Sequence, residues 1–350
     1  MTTKTEMVLD TCNFCIPKAA MSAIFALNKL DRILEVHESD HDKVVAKGSS
    51  LIPIEINASW FFLDEDITIS TATHLDTGSV SNGKQYYVYA CNDNGTLVFK
   101  ISLNSTYPSG FTATTSRKIG GFHTLCVNVG TIAGHTLTGY LANDILPASI
   151  WDLKHRPVCE PSGMVYDESI DKWVDIYLAS GTGASTISVN GAAISDTRDW
   201  MDFVDDGHAV KKRLLTDHEF QSIAAGSNEE TNITGSADPG TTGGHSDTAS
   251  RRMISNIGCE DCAGVLYQWL LDQSWRLDGA DLAACKTWAW EDLAGAKGSL
   301  YKEGTYGDVK LLAGGYWGAG TDCGSRCRHA SYYRWYTITY IGARFLAEPL

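Results

Sequence analysis

Nine of the ten tryptophans lie at or after Trp151, and only Trp60 precedes it. A chain with so uneven a supply of its largest side chain builds two different halves. The change falls near residues 145–157, where Pro147 and Pro157 also sit. A length of 350 residues accommodates about two domains of roughly 100–200 residues each. The expected division is 1–150 and 151–350.

The first half reads as short strands separated by turns. LIPIEI (51–56), SWFFL (59–63), QYYVYA (85–90), TLVFKISL (96–103) and TLCVNVG (124–130) are rich in β-branched and aromatic residues. SNGK (81–84) and NDNG (92–95) carry Asn-Gly, the strongest short-range hairpin signal. Residues 16–30 read as a short amphipathic helix ahead of them. In the second half, helical stretches at about 196–225 and 259–272 mix with short strands, so the expected class is α+β. Between them, Gly226–Ser250 is glycine-rich and almost devoid of large apolar residues. It reads as a surface excursion, since loops of this length are normally mobile or functional.

Composition narrows the function. Hydrophobic residues make up 43% and charged residues 20%, enough for a full core. The net charge of −14 argues against nucleic acid as a partner, because phosphate contacts need a basic face. No window approaches the roughly 18–20 apolar residues of a membrane helix, and the first ten residues contain no apolar signal core. The expectation is a protein that neither inserts in a membrane nor carries a signal peptide.

Motifs for chemistry are sparse. His37-Glu38-Ser39-Asp40-His41 matches HExxH, but that zinc motif works only on a helix. Its flanks, RILEV (32–36) and KVVAK (43–47), read as two strands around a polar turn. Cys12/Cys15, Cys259/Cys262 and Cys323/Cys327 are close pairs among ten cysteines, too few for a disulfide scaffold; they are expected to be structural or incidental thiols. There is no GxSxG, P-loop or GxGxxG, and His208, His218 and His245 lie among acidic residues as surface histidines often do. No metal, no cofactor and no catalytic residue is expected.

The most informative segment is the last forty residues. Between Tyr316 and Tyr340 lie five of the fifteen tyrosines, with Trp317 and Trp335, and with Arg326, Arg328 and Arg334 against Asp322. Tyr, Trp and Arg mixed with Ser, Gly and Thr is the composition of a recognition surface, where rigid rings give contact area at low entropic cost. TDCGSRCRHAS (321–331) reads as too polar for a core, so an exposed binding surface is expected.

Four blocks in the second half resemble, in order, the formylglycine-generating-enzyme branch of the C-type lectin fold. They are KRLLTDHEFQSIAA (212–225), similar to R-L-P-T-x-x-E-W/F-x-x-A-A; GVLYQWLLD (264–272), similar to G-N-V-W-E-W-x-x-D; LAGGYW (312–317), similar to R-G-G-S-W; and IGARF (341–345), similar to x-G-F-R. Within that branch the chain is most similar to the variable proteins of diversity-generating retroelements, among them phage tropism determinants. The resemblance implies a C-type lectin-fold domain over 151–350 behind a β-rich anchoring and oligomerising module. It also implies a variable region at about 314–345, whose AAY codons are randomised to NNY.

The positions placed at such codons are Tyr316, Gly318, Ala319, Asp322, His329, Ser331, Tyr332, Tyr333, Tyr336, Ile338 and Tyr340, all residue types that NNY encodes. Tyr336, Ile338 and Tyr340, spaced by two, are expected on one face of a strand. The interleaved residues, Trp317, Cys323, Cys327, Trp335 and Arg344 among them, would be the invariant scaffold, with the tryptophans buried. The implied function is receptor recognition by a phage or prophage tail fibre, by a homo-oligomer, a trimer being favoured. The partner would be a host-surface receptor or another protein or glycan ligand, and the location a virion (phage tail) or, if the protein is cellular, the cytoplasm or the outside of the cell reached without a signal peptide. The alternative is a formylglycine-generating-enzyme-like copper oxidase using Cys323 and Cys327. Their CxxxC spacing departs from the enzyme's wider pair, and a disulfide or scaffold pair is the expectation preferred. A calcium lectin is not expected, because Trp290-Glu291-Asp292 lacks the second ligand triplet that a calcium cage needs.

Overall fold

The structure, a computed structural model, describes residues 32–48, 52–276, 290–293, 295–301 and 307–350. The expected helix at 16–30 and the pair Cys12/Cys15 lie outside the described residues. Two compact units are present. One takes the chain up to Leu125 with Asn143–Arg156 and Leu350, and the other takes Cys126–Ala142 and Pro157–Pro349.

The strands of the first unit are Leu34–Val36 (β1), Lys43–Ala46 (β2), Ile52–Ile56 (β3), Ser59–Leu63 (β4), Ile67–Ser70 (β5), Gln85–Asp93 (β6), Thr96–Ser102 (β7), Ser116–His123 (β8) and Trp151–Asp152 (β9). They form sheets in the orders β1-β2-β5, β3-β4 and β7-β6-β8-β9. In β7 the alternate residues Leu97, Phe99 and Ile101 are buried, the period of two that a sheet with one covered face imposes. NDNG forms the tight β6–β7 hairpin, with Asn94 and Gly95 both at positive φ and Asp93 paired to Thr96. That is the backbone a two-residue hairpin of matching twist requires.

SNGK behaves differently. Gly83 turns the chain at φ +63°, but it leads into β6 and joins no pair of strands. TLCVNVG is not a strand either. Thr124 makes a single bridge to Ile145, and from Cys126 the chain belongs to the second unit. The HExxH residues sit at the β1–β2 hairpin, as the flanks suggested. His37 accepts the Asp40 amide at 3.2 Å, and His41 contacts Asp144 at 3.3 Å.

The second unit contains Met164–Asp167 (β10), Lys172–Asp175 (β11), Arg213–Leu214 (β12), Tyr267–Arg276 (β13), Trp290–Asp292 (β14), Ser299–Tyr301 (β15), Gly307–Gly314 (β16), Gly324–His329 (β17), Ile341–Gly342 (β18) and Phe345–Ala347 (β19). One sheet runs β10-β11-β19-β12 and the other β14-β15-β17-β16-β13-β18. Two short helices, Trp200–Ala209 and Asp217–Ile223, each begin with a capping box, Asp199/Asp202 and Thr216/Glu219. The described chain is therefore mostly β, with few helices, and the expected α+β balance overstates the helical share.

The expected helix at 259–272 is the clearest departure. It is a loop followed by β13, in which Tyr267, Gln268, Trp269 and Leu270 are all buried. A strand covered on both faces loses its alternation, and periodicity cannot then distinguish it from a buried helix. Gly226–Ser250 is irregular but is not merely a surface excursion. Asn228, Asn232, Ile233, Thr242 and Asp247 are buried within it. The Asp247 carboxylate accepts from Thr231 Oγ1 at 2.7 Å and from the Ala249 and Arg251 amides at 2.9 and 2.8 Å. Polar side chains thus do the work expected of apolar ones.

Candidate ligand-binding face

The C-terminal segment leaves β16 through two glycines that no other residue can replace without strain. Gly314 and Gly315 adopt φ +89° and +86°. A Cβ on Gly314 would lie 2.3 Å from the Cys262 carbonyl oxygen, and one on Gly315 would lie 2.7 Å from Cys323 Sγ. The turn is pinned by the Trp317 amide, which donates to the Val265 carbonyl at 2.9 Å.

The polar run 321–331 is not an exposed surface: most of it is buried, and Arg326 is among its few exposed residues. Its polar groups are paired, which is what allows the burial. Ser325 donates through both its amide and its hydroxyl to Glu229, at 2.9 and 2.6 Å. Arg328 pairs with Asp217, lies 5.0 Å over the Phe220 ring, and donates to the Ser325 and Cys327 carbonyls. Cys323 and Cys327 are free and buried, not a disulfide. Burial pushes the Cys327 thiol up to about 12 and the Cys323 thiol higher. Without a metal ion the two thiols are therefore held protonated by burial.

Above this buried layer the sheet sets aromatic side chains in register. Trp290 on β14 faces Tyr301 on β15, and Tyr301 faces His329 on β17. His329 is stacked between two tyrosines, with centroids 4.6 Å from Tyr301 and 4.5 Å from Tyr332. A second stack joins Tyr316 to Tyr267 at 5.4 Å and to Tyr340 at 4.6 Å. The Tyr332 and Tyr340 hydroxyls bridge the two stacks at 2.9 Å. They enclose an open recess of about 310 Å³. Burial pushes the Tyr332 and Tyr340 hydroxyls upward, so they carry no charge near neutrality. Burial also raises Asp322, against a hydrogen bond from Ser299 that lowers it.

The recess collects seven of the eleven sequence-selected positions: Tyr316, Gly318, Ala319, Asp322, His329, Tyr332 and Tyr340. The other four stand outside its lining. Ser331 is buried and bonds His329 Nδ1 at 2.9 Å; Tyr333 stacks on Trp335 at 4.6 Å; Tyr336 stacks on Tyr332 at 4.4 Å; and Ile338 packs on the core. Residues 336–340 do not form a strand, yet the alternation in burial holds. Tyr336, Ile338 and Tyr340 are half-buried while Thr337 and Thr339 are exposed. Trp335, expected to be buried scaffold, is 59% exposed, whereas Trp317 is half-buried against the core.

Three lining residues, Tyr267, Trp290 and Tyr301, escaped the sequence reading. They come from other strands, and only the sheet register brings them to the recess.

The family described as the Mtd second domain matches residues 36–152. The tail fiber receptor-binding protein of Bordetella phage BPP-1 is 27% identical over 310 residues, a match that covers 81% of this chain and 76% of that protein. Among solved structures, the Major Tropism Determinant U1 and P3c variants each superpose with a TM-score of 0.71 at 25% identity. Each match covers 92% of this chain and 85% of the other. In sequence over 81% of its length and in fold over 92%, the chain is similar to phage tropism determinants.

Proposed function

We propose that this protein binds a receptor on a host cell surface from the tail of a phage, through a face varied by a diversity-generating retroelement. The observation that carries the reading is the recess itself. Most of its lining comes from one contiguous C-terminal segment, at positions picked as residue types that NNY encodes, and the same segment is anchored by its buried Cys323, Ser325, Cys327 and Arg328; two of the eleven picked positions, His329 and Ser331, are buried as well. A fold accepts arbitrary side chains only where a backbone held by other residues presents them to solvent. Here the buried polar run 321–331, the glycine turn and Arg344 do the holding.

The second unit is read as a C-type lectin-fold domain. Its early hairpin β10–β11 pairs with the last strand β19, which brings the two ends of the unit together. The similarity to tail-fibre receptor-binding proteins favours binding over oxidase chemistry. The protein is read as a homo-oligomer, a trimer in particular, located on the virion.

The test combines Tyr332→Ala, Tyr333→Ala and Tyr336→Ala in the full-length protein and measures attachment to susceptible host cells. Removing clustered tyrosine anchors should weaken attachment by roughly 100-fold or more, while the far-UV circular dichroism spectrum stays the same. Unchanged attachment would overturn the reading. The flanking DNA offers an independent check, in a near-copy of the codons for Gly315 to Phe345 that differs only where the copy carries adenine.

A further inference from the structure

The chemistry of the recess narrows what it can hold. This inference rests on the receptor-binding reading and names the ligand group for the same site. Among the described residues, no lysine or arginine lines the recess, and Asp322 is its one carboxylate. The hydroxyls of Tyr332 and Tyr340 are engaged with each other, and His329 Nδ1 with Ser331. Among the described residues no positive side chain is offered to an anion. Seven of the ten lining residues carry aromatic rings, and Asp322 adds a carboxylate.

The rings also meet at steep angles. Trp290 stands 79° to the His329 plane at 5.6 Å, and Tyr267 stands 70° to it at 5.4 Å. These edge-to-face contacts turn the ring planes in different directions around the recess, so that rings border it from more than one side. Aromatic faces carry negative quadrupole potential and attract a cation placed over them, most strongly where water is excluded. A carboxylate at the same opening adds to that field, and here the Asp322 oxygens are held near Ser299.

We propose that the recess is an aromatic cage for an organic ammonium cation, taken from a quaternary ammonium headgroup or a lysine side chain of the receptor. Asp322 and the rings of Tyr316 and Tyr332 belong to the candidate variable positions, so this preference is a property of the present version of the face. Tyr267, Trp290 and Tyr301 lie outside the segment, so part of the cage persists in other versions.

The test titrates the full-length protein by calorimetry with choline, with Nα-acetyl-lysine methylamide, and with 3,3-dimethylbutan-1-ol, the neutral carbon analogue of choline. One cation should bind about 10-fold or more tighter than the alcohol, the scale of a desolvated cation–π site. Tighter choline points to a headgroup and tighter lysine amide to a protein side chain. Asp322→Asn should weaken the cation several-fold without changing the alcohol, and Tyr316→Leu, which keeps apolar bulk, should do the same. Equal binding of alcohol and cation, or no binding of either cation, overturns the inference. If that result accompanies cell attachment that still depends on Tyr332, Tyr333 and Tyr336, the cation assignment alone fails and the receptor-binding reading stands.

Discussion

At the scale of single residues, Arg344 and Trp335 are opposites that the sequence made look alike, since both fall among the expected scaffold. Arg344 is 1% exposed. Its guanidinium donates to Gln268 Oε1 at 3.1 Å, to the carbonyls of Asp175 and Ile176 at 2.7 and 2.5 Å, and to that of Glu260. It thereby ties β11 and the loop before β13 to the C-terminal strand. Replacing it with methionine fills much of the volume but takes the guanidinium from the buried carbonyls of Asp175 and Glu260, while that of Ile176 keeps the Glu260 amide at 2.8 Å. Each unsatisfied buried group costs about 1–3 kcal/mol, so Arg344→Met should lose roughly 2 kcal/mol or more in urea denaturation. Trp335→Ala removes an exposed ring stacked on Tyr333, and the loss should stay within about 0.5 kcal/mol. A large loss at Trp335 would mean that the indole is covered in solution. Residue type alone could not separate the pair, because a guanidinium suits a surface as readily as a nest of carbonyls.

At the scale of elements, the helix Asp217–Ile223 shows what a motif is for. Thr216 and Glu219 close its capping box, and Arg213 grips the Glu219 carboxylate with two hydrogen bonds of 2.8 and 2.6 Å. Asp272, at the end of the GVLYQWLLD block, accepts the Asp217 amide at 2.6 Å. Two of the four recognised blocks therefore meet at one helix start. Thr216→Ala should cost about 1 kcal/mol, the usual worth of such a cap. Burial opposes the charge on Glu219, but the bonds from Arg213 and Thr216 outweigh it and hold the carboxyl below its ordinary value. A carboxylate lowered on folding stabilises fully above its unfolded value, about 4.3, and that stability vanishes as pH falls through the lowered value. Glu219→Gln should therefore be less stable than the parent at pH 7, with the gap closing in denaturation curves taken near pH 3. An equal gap at both would mean that shape, not charge, is what the cap supplies. Elements with local signals were legible in this way: the helical stretch at about 196–225, the Asn-Gly turn between β6 and β7, the strands at 59–63 and 85–90. The turn joining β3 to β4 carries no such signal, with Asn57 and Ala58 both at positive φ. Neither did β13, whose two covered faces erase the alternation, nor the hydrogen-bonded run 226–250, whose buried asparagines and threonines look like loop residues.

At the scale of the whole molecule, the site was half legible for a related reason. The C-terminal segment announced itself by composition, so seven recess positions could be selected from sequence. The floor could not, because Tyr267, Trp290 and Tyr301 reach it through sheet pairing between strands distant in the chain. The recess is also open, at about 310 Å³, the lower end of the range of small-molecule sites, roughly 300–1,000 Å³. A single site of this kind binds weakly. The proposed oligomer resolves the difference, since joining several weak sites multiplies apparent affinity by roughly 10²–10⁴ when their geometry lets them engage together. Dissociation from captured host envelope should then slow steeply as receptor density rises, while at sparse density it should be fast and independent of coverage. Surface plasmon resonance over a density series reads this directly. A dissociation rate that stays constant across the series would mean that one recess acts alone, and the strength of attachment would have to come from contacts beyond it.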